Sequence, residues 1–139
     1  MRMWHKDLIP VLPREQLVAQ WRELSSIAGN IKSKGTPNHI LVNPVMEYPM
    51  SHFITYAAAV RAEMTRRGYH TMDKVWEKIT SVAHDYNILP LNEIYKEWMD
   101  KDYMEICYYN LYEKYLRGGI KKEDWDKIEK TVREKLNNE

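Results

Sequence analysis

The sequence predicts an all-α fold, a single compact helical domain over residues 1–139 with a long loop near residues 30–48. Two observations predict it. Apolar residues recur at three- and four-residue spacing through most of the chain, as the 3.6-residue period of a helix requires. No stretch alternates apolar and polar residues as a half-buried strand would, so little or no sheet is expected.

Pro13 followed by Arg14 and Glu15 opens the first helix, because proline at a helix start gives up no hydrogen bond. Leu17, Trp21, Leu24 and Ala28 form its stripe, and Gly29-Asn30 is expected to stop it. Residues 31–48 hold Gly35, Pro37 and Pro44 with few periodic signals, so they read as loop with one short extended piece at Ile40 to Val42. Pro49 opens a second helix whose stripe is Phe53, Tyr56, Ala57, Val60 and Met64, closed by Gly68. Thr71 is placed to cap a third helix carrying Met72, Val75, Trp76, Ile79, Val82 and Ala83. A fourth is expected from Pro90, through Leu91, Ile94, Tyr95 and Trp98. A fifth runs through Met104, Cys107, Tyr108, Leu111 and Tyr115 to Gly118-Gly119, and a last from Lys122 to Leu136 through Trp125, Ile128 and Val132.

Length and composition bound the class. At 139 residues, 44% hydrophobic and 29% charged, the chain can bury one core without staples. The lone Cys107 closes no internal disulfide and reads as a small core side chain. Lys6 and Asp7 interrupt the N-terminus and Leu8 to Leu12 is too short to serve as a signal peptide, so a cytoplasmic location with no membrane contact is expected. The net charge of +1 hides an asymmetry: acids concentrate from Glu93 onward, while cations prevail before it, allowing a basic face on the N-terminal part. The five histidines include no pair at metal-ligand spacing on one helix, so neither metal nor cofactor is expected.

Most chemical information lies in Leu17-Val18-Ala19-Gln20-Trp21-Arg22-Glu23-Leu24. At about 100° per residue, Glu23 points about 200° away from Trp21, with Arg22 beside it off the core side. By pattern alone these are a solvated Arg and Glu on an amphipathic helix. With the N-terminal Met1-Arg2-Met3-Trp4, however, the segment resembles the phage-type endonuclease V family of pyrimidine-dimer DNA glycosylases. That family carries Arg-Glu-Leu on its first helix at this distance from the chain start. A second segment, Glu63-Met64-Thr65-Arg66-Arg67-Gly68-Tyr69, is similar to the end of the family's second long helix and equally an ordinary helix terminus. Together the matches imply homology over residues 1–75, and over residues 90–139 the resemblance is thin.

The resemblance implies a glycosylase/AP lyase acting on damaged double-stranded DNA, as a monomer. A neutral α-amine attacks the sugar C1′, forms a Schiff base and permits β-elimination of the 3′ phosphate. An α-amine, with an ordinary pKa near 8 against about 10.4 for lysine, supplies neutral nucleophile without burial. It assigns catalysis to the Met1 amine and Glu23, the latter moving the proton, and phosphate or base contact to Arg22. Arg2, Trp4, His5 and His39 are further candidates for contacting DNA. Trp4 could wedge into an opened base stack or pack the N-terminus onto the core. His39 stands in the Gly35-Thr36-Pro37-Asn38-His39 loop. Cations in Arg117-Gly118-Gly119-Ile120-Lys121-Lys122 could meet a phosphate or merely cap a helix.

Three positions depart from the family pattern: the small residue after Met1 is Arg2, an arginine one turn past the Glu is Ser26, and an upstream histidine is Gln16. Arg2 should hinder removal of Met1 and names Lys6 and His5 as the nearest substitute nucleophiles. It also keeps open a non-catalytic DNA-binding module. A third reading is a helical protein-interaction module, using the tyrosine-rich stretch 103–115 and the charged last helix.

Overall fold

A computed structural model describes residues 1–137 and is all-α, with no strand among the described residues. Five α-helices build it: α1 (Arg14–Lys34), α2 (Met50–Arg66), α3 (Asp73–Thr80), α4 (Lys101–Leu116) and α5 (Lys122–Asn137). Three short 3-10 helices, at Lys6–Val11, Asn43–Glu47 and Leu91–Glu93, punctuate the described residues. α1 packs against α2 and α3, α4 pairs with α5, and α5 leans on the Lys6–Val11 turn. The buried side chains form one continuous cluster, from Met3 to Val132.

The expected stripes are the ones buried. Leu17, Trp21, Leu24 and Ala28 of α1 are buried, as are Phe53, Tyr56, Ala57 and Val60 of α2, all at 6% exposure or less. Leu24 is fully enclosed, so truncation to alanine costs about 2–5 kcal/mol. Cys107 is likewise at 0%, a core side chain whose thiol burial pushes up from its ordinary pKa. α4 opens on Asp100, whose carboxylate accepts the Tyr103 N–H at 2.9 Å.

Four boundaries differ from expectation, each for a physical reason. α1 runs through Gly29-Asn30 to Lys34 and stops at Gly35, whose φ of +74° supplies the left-handed residue a helix end favours. Gly29 is instead a contact point: a Cβ there would lie 3.2 Å from Cε of Lys78 on α3. The loop therefore begins at Gly35 rather than residue 31, and Ile40 to Val42 form turns rather than an extended piece. The third helix is shorter than its stripe, ending at Thr80, and Thr71 does not cap it, because its hydroxyl accepts the Arg61 Nε–H at 3.0 Å.

The fourth expected helix does not form. Residues 90–99 make one 3-10 turn and further turns, with Tyr95 at a φ of +53°. Ile94, Tyr95 and Met99 are buried there by tertiary contacts: Tyr95 lies among Tyr48, His52 and Trp98, and its N–H donates to His52 Nδ1 at 3.2 Å. Lys6, itself 5% exposed, donates its ammonium to the Ile94 carbonyl.

Candidate active site

Residues 2–4 are held to the helices by their backbone. The Arg2 carbonyl accepts from Gln20 Nε2 (3.0 Å), the Trp4 N–H donates to Gln20 Oε1 (2.8 Å), and the Trp4 carbonyl accepts from the Tyr56 hydroxyl (2.6 Å). The Tyr103 hydroxyl of α4 donates to the Met3 carbonyl. Buried backbone groups need partners, and here three side chains, one from each of three helices, supply what a sheet or helix would otherwise provide.

That anchoring sets the chain start beside Glu23. The Arg2 N–H donates to Glu23 Oε2 at 3.4 Å. The nitrogen of residue 1 is one peptide unit further back, so it lies within roughly 7 Å of the same oxygen. Glu23 is half-buried and forms no ion pair among the described residues. Its carboxylate is therefore available, neither sealed under side chains nor neutralised by an arginine.

Glu23 and Arg22 open onto a cleft of about 760 Å³. One wall is α1, presenting Arg14, Gln16, Ala19, Arg22 and Glu23; the other is the α4–α5 corner, presenting Lys114, Gly119, Ile120, Lys121 and Asp124. Arg14, Arg22, Lys114 and Lys121 are all exposed, so the cleft has cations on both walls. Three acids, Glu15, Glu23 and Asp124, share the lining, so the cations exceed them by one. Gly119 closes the corner: its N–H bonds the Lys114 carbonyl at 2.8 Å, and a Cβ would sit 3.3 Å from that oxygen.

The remaining sequence candidates fall in different places. Trp4 lines the cleft but is only 8% exposed, so it packs the N-terminus onto the core, the second of its two expected roles. Arg2 does not line the cleft; its positive charge acts on the Tyr103 phenol and the Cys107 thiol instead. His5 is buried at 4% exposure and its Nδ1 accepts the Asp7 N–H at 3.1 Å, capping the first turn. Burial also lowers its pKa below the ordinary histidine value. Lys6 is committed to the Ile94 carbonyl. His39 caps its own loop, accepting from the Leu41 N–H at 3.3 Å, and does not line the cleft. Ser26 does not line it either, whereas Gln16 does, with a buried side-chain oxygen that has no partner among the described residues.

Sequence reasoning missed Gln20 and Arg14. Gln20 is three residues after Leu17 and four before Leu24, which placed a polar residue on the buried face, and that was its signal. Arg14 read only as part of a helix start.

The second motif has a structural use. Glu63 is 8% exposed and accepts from Arg66 Nε at 3.0 Å and Arg67 Nε at 2.7 Å. Burial alone would raise the Glu63 pKa, but the two arginines outweigh it and hold the carboxyl below its ordinary value. Arg67 then reaches the carbonyls of Leu12 (2.7 Å) and Pro10 (3.1 Å), tying the end of α2 to the segment entering α1.

Among the described residues, no helix is long and apolar enough to cross a membrane. Comparison with curated proteins and with solved structures gives no match. The sequence model of the pyrimidine dimer DNA glycosylase family matches residues 1–77, which include the anchored N-terminus, Arg22, Glu23 and the Glu63–Arg67 tie. That span is more than half of the chain, and the chain belongs to the pyrimidine dimer DNA glycosylase family.

Proposed function

We propose that the chain is a glycosylase with AP-lyase activity on damaged double-stranded DNA, working through the amine of residue 1 and the Glu23 carboxylate. The observation that carries the reading is the open Glu23 carboxylate, 3.4 Å from the Arg2 N–H, at the edge of a cleft with cations on both walls.

The steps follow from that placement. Arg14, Arg22, Lys114 and Lys121 take up backbone phosphates, and the lesion is opened by extruding a nucleotide, least costly where stacking is already broken. The neutral amine attacks C1′ of the sugar; the C1′–N bond to the base breaks, and the base leaves with a proton. Glu23 stabilises the cationic character that develops at the sugar. The attached nitrogen, having yielded one proton to the departing base, pushes its lone pair toward C1′; the C1′–O4′ bond breaks, O4′ takes up a proton from water, and a ring-opened iminium remains. Glu23 then accepts the C2′ proton, the electron pair forms the C2′–C3′ double bond, and the 3′ phosphate departs. Water hydrolyses the iminium and returns the free amine.

Borohydride reduction during reaction with a dimer-containing or abasic duplex tests the reading. The parent chain is expected to give a covalent protein–DNA adduct, and Glu23→Gln to cleave far more slowly while still binding. Absence of any adduct, or a Glu23→Gln variant as fast as the parent, contradicts it.

A further inference from the structure

The anchoring of residues 2–4 converges on Gln20. This side chain is 0% exposed and sits one helical turn before Glu23, on the same side of α1. Its amide makes two bonds to the backbone on either side of Met3: Nε2 donates to the Arg2 carbonyl at 3.0 Å, and Oε1 accepts the Trp4 N–H at 2.8 Å. A residue of a neighbouring parallel strand bonds its partner in the same way, taking the carbonyl before and the N–H after. Such a contact fixes register, because a shift by one residue would set donor against donor.

Tyr56 fixes the amide itself. Its hydroxyl oxygen lies 2.8 Å from Gln20 Oε1 and 2.6 Å from the Trp4 carbonyl and shares its one proton between these two acceptors, closing a ring of side chain and backbone in which Tyr56 is fully buried. Burial pushes the Tyr56 phenol well above its ordinary pKa, so the hydroxyl remains a donor throughout the working range. A helix core of this kind is ordinarily filled by an apolar side chain, since a buried amide left unbonded is destabilising. Here both polar atoms of the amide are bonded, and the atoms they hold are those leading to the Arg2 N–H on Glu23.

We propose that Gln20 is a positioning residue for the cleft: its side-chain amide, steadied by Tyr56, holds residues 2–4 in the register that aims the amine of residue 1 at Glu23. The inference rests on the amine-and-carboxylate reading given above. Displacement by about 1 Å at a reacting centre can cost on the order of 100-fold in rate, so the clamp acts on the chemical step rather than on DNA affinity.

The test uses the full chain and the variants Gln20→Met and Tyr56→Phe, the second removing only a hydroxyl and so protecting against a fold failure in the first. Single-turnover trapping on an abasic duplex is expected to slow roughly 10- to 100-fold in Gln20→Met and less in Tyr56→Phe, with the KM for the duplex unchanged within about two-fold. The Trp4 amide is expected to exchange slowly with solvent in the parent and quickly in Gln20→Met. Trapping rates equal to the parent's in folded variants overturn the proposal, as does a loss carried wholly by KM. A parent chain that forms no adduct strikes the amine-and-carboxylate reading instead. Amide exchange then decides the clamp: equal Trp4 protection in parent and Gln20→Met overturns it, and unequal protection supports it.

Discussion

Two Arg–Glu motifs in this chain use the same residue types in opposite ways. Arg22 and Glu23 are neighbours in sequence, so they splay apart on α1; Arg22 is exposed, Glu23 is half-buried, and both line the cleft. Glu63, Arg66 and Arg67 are spaced by three and four residues, so they meet on one face of α2, where Glu63 is 8% exposed and doubly bonded. The difference teaches that spacing decides whether a charge is spent or kept. Glu63 is spent on holding α2 to the residues before α1; Glu23 is kept for a partner from outside.

The sharpest way to break that comparison is to neutralise both acids. Glu23→Gln is expected to lower single-turnover cleavage of an abasic duplex by about 10²–10⁴-fold, the range of a lost general acid/base group, with an unchanged melting temperature. Glu63→Ala is expected to do the reverse: it leaves Arg67 without its carboxylate and lowers stability by about 3 kcal/mol in a urea titration, with the cleavage rate at low temperature nearly retained. Exchange of these two outcomes would mean the roles are assigned the wrong way round.

Smaller effects sharpen the picture. Lys121→Ala, on the far wall of the cleft, is expected to weaken duplex binding several-fold and to reduce the slope of log affinity against log salt by about one, as loss of one phosphate contact does. Unchanged affinity and slope would take the α4–α5 corner out of the binding surface. The smallest effect concerns pH. Burial lowers the His5 pKa in the folded chain, so between that value and the ordinary 6.5 the unfolded chain binds the extra proton. Stability is therefore fully present above about pH 6.5 and declines as pH falls below it. His5→Asn, which can still accept the Asp7 N–H, is expected to flatten this decline in chemical denaturation measured between pH 5 and 7.5.

How much of this was legible in the sequence depends on whether local pattern or tertiary contact decides a residue's fate. The stripes of α1, α2 and α5 are local and were read correctly, because an amphipathic face survives any neighbour. Gly29 was misread as a stop because only the position of Lys78 shows that glycine there makes room rather than ends a helix. Residues 90–99 carry apolar residues at helical spacing, yet contacts with Lys6, Tyr48 and His52 bury Ile94 and Tyr95 without a helix. In the site, pattern alone makes Arg22 and Glu23 a solvated pair, and only the family resemblance of their segment, with its distance from the chain start, marks them. His5 and Lys6 did not reveal that they face inward, since a short N-terminal segment has no periodicity to read. The far wall, Lys114 and Lys121, is separated from Glu23 by about ninety residues of sequence and is joined to it only by the fold.

The account's central claim is that the amine of residue 1 and the Glu23 carboxylate act on one sugar. Peptide mapping by mass spectrometry of the borohydride-reduced protein–DNA adduct tests it most directly. The predicted result is a single cross-link on the α-amine of residue 1, formed at a rate that Glu23→Gln sharply reduces. A cross-link on the side chain of Lys6, Lys114 or Lys121 would contradict it.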